Sequence, residues 1–409
     1  MLRLAIARIH RYYLPPVLSN KTADITCTSQ IRKGNFLRSS NFGNHQSYLT
    51  IYFIKLIFSK KGRLLGEIDL NLFFATWFLP IFSDLRKLQA IVLLIIGLLL
   101  TIVIALAHGA VPLSAIQVWQ ALLHQGNPTH QTIIWDLRLP RILAALVVGA
   151  ALGMSGALLQ GMLRNGLADP FVLGISAGAG LVAIAFLTLG ILQAWIPLAA
   201  WVGAVITAAL VYLLGYTGSG ISTERLILGG VAFSSLFGAV QATLLLMAED
   251  GRVQAALNWL IGSLNGRGWT ELNAVAPYIA IALLIGCSFG RLINVLNLGD
   301  ELAVGLGIST GRSRLLIGAI ATLLTASAVS MTGLIGFVGL VVPHGVRLLA
   351  GTDYRWVLPL SAIAGAWVLT FADLLARLGT VELPVGAVTA LLGSPLFIWL
   401  LYRRSHPSP

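Results

Sequence analysis

The feature that most constrains this chain is a series of apolar segments that starts at Leu88 and continues to the C-terminus. A helix that crosses a bilayer needs about 20 predominantly apolar residues, and most of these segments approach that length. Because no water reaches the bilayer core, each segment must satisfy its own backbone groups, as an α-helix does. The chain is therefore predicted to be an all-α polytopic membrane protein. Its ten predicted spans lie at residues 88–108, 141–163, 171–190, 194–214, 225–248, 272–290, 313–332, 335–350, 356–377 and 385–402.

Composition supports this class of protein. Hydrophobic residues make up 57% of the 409 residues and charged residues only 10%, whereas a soluble domain has about 25% charged residues. Only four of the 43 glycines precede residue 88, and small residues let membrane helices approach closely. The predicted bundle is therefore rich in glycine. Two helix faces of small residues are predicted, formed by Gly149, Gly153 and Gly156 and by Gly333, Gly336 and Gly339.

Two short motifs recur along the chain. A Ser-Gly pair at 155–156 is followed by Pro170, and a Thr-Gly pair at 332–333 is followed by Pro343. Internal duplication is common in transporters. The repeat predicts two related halves of five spans each.

Residues 1–87 differ in character from the rest of the chain. They carry all six lysines and 13 basic against 4 acidic side chains, whereas the residues from 88 onward carry 14 arginines against 11 acids. We interpret 1–87 as a basic N-terminal extension, cytoplasmic and poorly ordered, with an amphipathic segment on the membrane surface as the alternative. The net charge of +12 does not indicate nucleic-acid binding, because the later arginines lie between apolar segments and form no contiguous basic face.

The charges between the spans predict how the chain crosses the membrane. Basic residues are enriched in cytoplasmic loops, and an even number of spans puts both termini on that side. The predicted cytoplasmic residues are Arg86, Lys87, Arg164, Arg225, Arg291, Arg312, Arg314, Arg347, Arg355, Arg403 and Arg404. The predicted outer residues are Arg138, Arg141, Arg252, Arg267 and Arg377.

Several enzyme signatures are excluded or explained by packing. The Gly-Lys-Ser/Thr of a P-loop is absent, so the chain does not bind ATP in that way. Gly174, Ser176 and Gly178 match the pattern of a nucleophile elbow, but that elbow joins a strand to a helix, and here it lies in an apolar helix. Seven scattered histidines show no metal-ligand spacing. Cys27 and Cys287 are far apart, and Cys287 is predicted to be a small buried thiol. We therefore predict no catalytic residue and no metal site.

Two other classes of membrane protein remain as alternatives. A secondary transporter or channel would work without ATP, and it normally carries acidic residues or histidines within its spans. Asp373 lies within a predicted span, but its position four residues before Arg377 predicts a local ion pair. An intramembrane enzyme would need a convergent catalytic set within the spans, and the sequence shows none.

The longest cytoplasmic connection after Lys87 runs from 294 to 314. Asp300 and Glu301 predict the start of a short helix, because acids in the first turn are favoured by the helix dipole. Gly305 and Gly307 predict its end, and the Ser-Thr pair at 309–310 predicts the cap of a second short helix before Arg312 and Arg314. Two such helices would suit docking of a soluble partner, and an ordinary folded loop is the alternative.

Several motifs, in one order, resemble the permease subunits of ABC importers for iron–siderophores, haem and vitamin B12. The resemblance covers residues 88–409, which we interpret as a permease domain. The motifs are LRLPR at 137–141, ALG at 151–153, SGA at 155–157, Gln160, NGLADP at 165–170, LGISAGA at 173–179, LGD at 298–300 with Ala303 and Leu306-Gly307, GFVGLVVPH at 336–344, ELPVG at 382–386 and GSPLF at 393–397.

The resemblance implies a permease of a bacterial inner membrane, present as a homodimer or paired with a close paralogue around a central pathway. It implies that two ATPase subunits, which bind ATP and Mg²⁺, attach at the cytoplasmic face, and that a soluble substrate-binding protein docks outside. This chain would bind no cofactor and perform no covalent chemistry. The cargo would be a bulky iron complex moved by alternating access, a ferric siderophore first, then haem or a corrinoid, with oxyanions as a further alternative.

The resemblance also implies roles for individual residues. The loop that couples to the ATPase maps to Gly299, Asp300, Glu301, Ala303, Gly305, Gly307 and Arg312. Docking of the binding protein maps to Arg138, Arg141 and Arg377, since arginine pairs well with carboxylates. Anchoring at the membrane interface is the alternative for the first two. Translocation and packing positions are Gly174, Ser176, Gly178 and Pro343.

Overall fold

The computed structural model describes the backbone of residues 70–405 except 172, 218, 219 and 380. It describes the side chains of residues 87–402 except 172, 218–220, 380, 400 and 401. The interpretation of the basic extension therefore lies outside the described residues for 1–69. The last part of that predicted extension belongs to the first helix, which begins at Leu70.

The described chain is almost entirely helical. The helices are α1 (Leu70–Ala107), α2 (Ala115–Leu122), α3 (Pro128–Thr132), α4 (Leu139–Met162), α5 (Ile175–Leu189), α6 (Ile196–Gly215), α7 (Thr223–Leu246), α8 (Asp250–Ile261), α9 (Trp269–Ser288), α10 (Gly290–Leu296), α11 (Asp300–Gly305), α12 (Thr310–Thr332), α13 (Val338–Ala350), α14 (Tyr354–Ala376) and α15 (Val385–Ser405). A π-helical turn, Ile133–Arg138, leads into α4, and a 3₁₀ turn, Gln193–Trp195, leads into α6. Strands β1 (Tyr216–Thr217) and β2 (Gly220–Ile221) pair antiparallel between α6 and α7.

The predicted spans are confirmed. Within the described residues, seven helices are long and apolar enough to cross a membrane, and three shorter apolar helices lie at Ile175–Leu189, Val338–Ala350 and Val385–Trp399. Each of the ten predicted segments coincides with one of these helices. The relation between two five-helix halves stays a prediction.

Contacts between distant segments agree with the predicted topology. At the predicted outer side, Arg252 after α7 donates to the carbonyl oxygen of Thr188 at the end of α5, at 3.2 Å. At the predicted cytoplasmic side, Arg314 at the start of α12 donates to the carbonyl oxygen of Ile221 at 2.8 Å. Both contacts join segments that the alternation of ten spans places on the same face.

Helix α4 lies at the centre of the bundle. Every residue from 151 to 162 is buried, and α4 packs against α9, α12, α13 and α14. Ser155 and Gln160 on α4 donate hydrogen bonds to neighbouring helices, as polar donors in a lipid-embedded core require. Ser155 donates to the carbonyl oxygen of Ala321 on α12 at 2.9 Å. Gln160 donates to the carbonyl oxygens of Gly339 and Leu340, both at 3.2 Å.

Helix α4 makes close backbone contacts with α14, through glycines, and with α13. A Cβ atom on Gly149 would overlap the carbonyl oxygen of Gly365, and a Cβ atom on Gly365 would overlap that of Gly149. A Cβ atom on Gly153 would overlap the carbonyl oxygen of Ser361 one turn away, and one on Gly156 would overlap that of Gly339 on α13. The predicted small face of α4 is therefore a packing face at which backbones touch.

The second predicted glycine face is wrong. Helix α12 ends before Gly333, which has a φ of 74°, and Phe337 also has a positive φ, of 67°. Helix α13 begins only at the next residue, so Gly333 and Gly336 lie in a non-helical linker and Gly339 alone lies in a helix. The predicted spans already separate between 332 and 335, but the non-helical linker extends to Phe337 and therefore includes Gly336.

The linker between α12 and α13 satisfies backbone groups through two neighbouring segments. The amide of Ser263 donates to the carbonyl oxygen of Thr332 at 2.8 Å. The amide of Gly386 at the start of α15 donates to the carbonyl oxygen of Gly262 at 3.1 Å. A Cβ atom on Gly386 would lie 3.0 Å from the carbonyl oxygen of Leu334. The linker, the end of α8 and the start of α15 therefore form one connected unit.

Cys287 is exposed and not buried as predicted. It lies near the end of α9, where the neighbouring Gly286 faces the bundle and Met154 of α4. Adjacent residues on a helix point about 100° apart, so Cys287 is turned away from the core.

The α4–α14 contact predicts a sharp sensitivity to a single methyl group. Gly365→Ala should destabilise the protein by about 1–3 kcal/mol or more, because backbone must move to admit the new carbon. Gly345→Ala on α13 is the matched control, since its Cβ atom would meet nothing within 4 Å. Thermal unfolding in detergent, followed by size-exclusion profiles, measures both variants. Equal unfolding temperatures for the two would contradict the packing described here.

Candidate functional site

The outer end of the bundle contains a buried ion-pair network centred on Arg141 and Asp373. Arg141 lies in the first turn of α4, and its Nε donates to both oxygens of Asp373, at 3.0 and 3.2 Å. Its Nη2 donates to Oδ1 of Asp373 at 2.7 Å. Its Nη1 pairs with Glu382, in the segment between α14 and α15. The network therefore joins three segments of the chain at the predicted outer face.

Arg377 completes the network from the end of α14. Its Nη2 lies 3.1 Å from Oδ2 of Asp373, and its Nε donates to the carbonyl oxygen of Asp373 at 3.3 Å. The predicted local pair between Asp373 and Arg377 is confirmed. No sequence pattern indicated that Asp373 also holds Arg141 across the bundle.

Arg138 ends the π-helical turn before α4 and has a different environment. Its guanidinium donates to the carbonyl oxygens of Leu106 at the end of α1 and of Val111 in the following loop. These bonds satisfy carbonyls that the end of a helix leaves without intrahelical partners. Arg138 therefore braces the end of α1 against the start of α4.

The three arginines predicted to dock a binding protein are thus all buried and have partners within the chain. Arg138 and Arg141 are 6% and 9% exposed, and the side chain of Arg377 is 8% exposed. The side chain of Glu382 is 35% exposed and that of Asp373 is fully buried. Docking at these arginines stays a prediction. Carboxylates and carbonyl oxygens of the chain itself compete with a docking partner for their guanidinium groups.

A second charged cluster, at the predicted cytoplasmic end, is centred on Asp300. Arg314 is buried, and its Nη2 donates to both oxygens of Asp300 at 3.0 Å. Arg164, which follows α4 in a left-handed conformation with a φ of 50°, also pairs with Asp300. The same Arg314 holds the backbone of Ile221 in β2. One carboxylate therefore ties α11 to the end of α4 and to the start of α12.

The predicted loop of two short helices is partly confirmed. Helix α11 begins at Asp300 with Glu301 in its first turn, as predicted, and Gly307 turns the chain with a φ of 82°. The second short helix is wrong, because Thr310 begins the long helix α12 and Ser309 makes no side-chain cap. The apolar residues beyond Arg314 continue the helix without a break. The other short helix of this region is α10, which precedes α11.

Helix α11 presents an exposed apolar surface. Four large apolar side chains here are each more than half exposed, and Ala303 faces the bundle and is buried. Glu301 and Arg312 are also exposed. We call this the α11 surface, formed by Leu298, Leu302, Val304 and Leu306. Several exposed apolar side chains outside the spans are typical of a protein-binding site.

A third polar contact fixes α10 to the start of α14. Asn294 donates to Asp353 at 2.6 Å, and the amide of Tyr354 donates to the side-chain oxygen of Asn294 at 2.9 Å. Arg355 donates to both oxygens of Asp353. The hydrogen bonds from Arg355 and Asn294 outweigh the cost of partial burial and hold the pKa of Asp353 at about 2. This carboxyl group therefore stays ionised at any physiological pH.

The positions predicted for translocation and packing are mostly packed. Gly174 begins α5 with a φ of 72°, and a Cβ atom there would lie 3.2 Å from the carbonyl oxygen of Gly230 on α7. A Cβ atom on Gly178 would overlap Thr207 on α6. Ser176 and Pro343 are buried. A role in translocation stays a prediction.

Helix α7 is more open than the rest of the bundle. Its buried residues are confined to its first two turns. An open cavity of about 400 Å³ lies against it, lined by Phe171, Val231, Ser234 and Ser235. The sequence did not single out these residues, because a helix that is apolar all round does not reveal which face is open.

Sequence reasoning also missed Glu382, Asn294 and Asp353. Glu382 opens the ELPVG motif that carried the resemblance, and an acid beside a buried arginine cluster was the available signal. Asn294 and Asp353 gave no signal, since their partners lie in distant segments.

Comparisons with known proteins agree with this arrangement. Residues 95–403 match the FecCD transport family. The chain is 41% identical over 305 residues to the cobalamin import system permease protein BtuC of Halobacterium salinarum, covering 74% of this chain and 82% of that protein. It is 37% identical to the hemin transport system permease protein HmuU of Yersinia pestis, and the match covers 76% of this chain and 96% of that protein. It is 38% identical to the Fe(3+)-citrate import system permease protein YfmD of Bacillus subtilis, and this match covers 76% of this chain and 92% of that protein.

A solved structure gives the same result for the fold. An inward-facing structure described as a metal-chelate type ABC transporter superposes with a TM-score of 0.70 at 32% identity, covering 76% of this chain and 97% of that one. The chain is thus a permease of the ABC importer type and a multi-pass protein of the cell membrane. It belongs to the FecCD transport family, whose members serve import of siderophores, haem or vitamin B12.

The Asp300 cluster predicts that α11 loosens when one charge is removed. Asp300→Asn should weaken both arginine contacts and leave the buried Arg314 without its charged partner, at a cost of about 1–3 kcal/mol. Hydrogen exchange of residues 298–308 should then rise. The control is Glu301→Gln, at an exposed position of the same turn. Unchanged exchange in the Asp300 variant would show that these ion pairs do not hold the helix.

Proposed function

We propose that this chain is the permease subunit of a binding-protein-dependent ABC importer, which moves a bulky iron complex into the cytoplasm. Separate ATPase subunits supply the energy, a soluble binding protein delivers the cargo, and a second permease copy completes the pathway. The single observation that carries the proposal is the α11 surface. We interpret this exposed apolar surface as the contact for a soluble partner protein. A transporter that works without a partner ATPase would not need such a contact.

The ATPase contact is supported by how α11 is fixed. Asp300 anchors its first turn to Arg314 and Arg164, and Ala303 is buried beneath its middle. Leu302 and Leu306 project away from the bundle. A push on these side chains is therefore transmitted through the Asp300 ion pairs to the ends of α4 and α12. That is the mechanical connection that alternating access needs.

The cargo is proposed from the relatives and from the openness of α7. The names of the relatives specify cobalamin, hemin and ferric citrate, and what these cargoes share is a metal held in a bulky organic chelate. The exposed residues of α7 include Val231, Leu236 and Ser235. Such a surface selects by size more than by specific chemistry. A ferric siderophore is our first choice, followed by haem and a corrinoid.

The alternating movement is proposed to occur around the fixed α4–α14 pair. Contacts between backbones at Gly149 and Gly365 leave no room for one helix to shift into the other. Helix α7 has few buried residues, so it can move or pack against the second copy at lower cost. The second copy is proposed to face α7, across a shared pathway.

A secondary transporter stays the alternative class. Its best candidate for an ion-coupled residue in a described span is Asp373. Both oxygens of this carboxylate are held by Arg141 and Arg377, so protonation would remove the fully buried counter-charge that two buried guanidinium groups share. That cost argues against Asp373 as a proton carrier.

Reconstitution separates these classes. The permease is purified with the ATPase and binding protein encoded near it, placed in liposomes, and supplied with ferric siderophore, haem or cobalamin in parallel. Uptake should require the ATPase, ATP and the binding protein together. Controls omit ATP or use an ATPase variant that binds but does not hydrolyse it. Accumulation by the permease alone under an ion gradient would establish the secondary transporter instead.

The ATPase contact gives a sharper test. Leu306→Glu puts a charge on the α11 surface and should weaken co-purification of the ATPase by about tenfold, because burial of that charge opposes docking. Folding should be unaffected, since Leu306 is 65% exposed. The matched control is Leu123→Glu, at an exposed position of similar chemistry after α2. Retention of the ATPase by the Leu306 variant would place the contact elsewhere.

A further inference from the structure

We propose that Glu382 is an exchangeable internal partner of Arg141, which occupies the outer docking site until an acidic side chain of the binding protein displaces it. The inference rests on the proposed function, because it takes docking at the outer face as given. It adds that the site is closed at rest, and it names the residue that closes it.

The two carboxylates that contact Arg141 hold it in different ways. Asp373 is fully buried on α14 and accepts three hydrogen bonds from Nε and Nη2. Glu382 meets only Nη1, with a side chain that is 35% exposed. Breaking a buried pair leaves an uncompensated charge, whereas a partly exposed pair contributes about 0–1 kcal/mol. Asp373 is therefore the permanent anchor, and Glu382 is the partner that can leave.

The geometry of Arg141 makes this exchange direct. A guanidinium presents its donors in a fixed planar fork. Asp373 takes the Nε and Nη2 side of that fork, which leaves Nη1 as the donor directed at Glu382. An incoming carboxylate at Nη1 would replace Glu382 without disturbing Asp373. Docking then breaks one partly exposed contact, between Arg141 and Glu382, and forms a similar contact between Arg141 and the incoming carboxylate.

The charge of the network favours an acidic partner. Three arginines gather at this end of the bundle, where the contacts described above include two carboxylates, Asp373 and Glu382. Arg138 donates to neutral carbonyl oxygens and adds an unbalanced positive charge. When Glu382 leaves, the positive charge at the surface increases. The fitting partner is therefore a carboxylate on a soluble protein.

The backbone around Glu382 is held independently of its side chain. The amide of the next residue, Leu383, donates to the carbonyl oxygen of Ala376 at 3.0 Å, and the amide of Gly386 donates to the carbonyl oxygen of Gly262 at 3.1 Å. The exchange therefore moves a side chain and leaves the main chain of this segment in place.

The test measures affinity for the binding protein in the assembled transporter. Wild type, Glu382→Gln and Glu382→Ala are placed in nanodiscs with their ATPase, and binding of the cargo-loaded binding protein is measured by interferometry. Both variants should bind about three- to tenfold more tightly, because Arg141 no longer has an internal competitor. Two different substitutions of Glu382 are compared, so that an effect of one new side chain on folding is not mistaken for a change in affinity.

Two further variants sharpen the result. Asp373→Asn should weaken binding, because Arg141 loses the anchor that directs its Nη1. Glu249→Gln is the matched control, since Glu249 also pairs with an arginine, Arg252, at the predicted outer face but outside this network. Its affinity should equal that of wild type.

The outcomes distinguish the two proposals. Unchanged or weaker binding by both Glu382 variants, with wild-type binding intact, overturns the exchange and leaves the importer function standing. Absence of any binding by wild type overturns both. Tighter binding by Glu249→Gln as well would show a general charge effect and would also overturn the exchange.

Discussion

The close contact of α4 with α14 is the constraint on which the rest of this structure depends. In lipid, apolar side chains gain little by leaving their surroundings, so helices associate through fit and backbone contact. Gly149 and Gly365 meet with no space for a Cβ atom on either side. This contact fixes the core of the bundle, and it brings Arg141 at the start of α4 to Asp373 at the end of α14.

The charged clusters at the two faces are consequences of that core. Burial of Asp373 is tolerated because two guanidinium groups face it, and burial of Arg314 is tolerated because Asp300 and a backbone carbonyl do. Each cluster joins segments that are distant in sequence. The outer cluster holds a partly exposed acid, and the inner cluster holds a helix with an exposed apolar surface. The bundle thus positions one cluster at each end, and each of the two proposed soluble-partner sites lies at one of them.

The sequence predicted the features that depend on local pattern. Apolar length located ten spans, and the acids at Asp300 located the start of α11. The resemblance located the outer arginines but not their burial. The pairing of Arg141 with Glu382 depends on the fold, so no local pattern contains it. The separation of two spans after Thr332 was predicted, but the extent of the linker to Phe337 was not. Helix α8 was missed because it is short and mixed in polarity.

Two helices whose backbones are in contact behave as a single rigid unit. Neither α4 nor α14 can yield by rotating a side chain, because the touching atoms belong to the main chain. In the proposed importer, a larger cargo would therefore be accommodated by the looser helices, of which α7 is the clearest. Substitutions that adapt the pathway to another cargo size would be tolerated on α7, whereas any side chain added at the α4–α14 contact would overlap main-chain atoms.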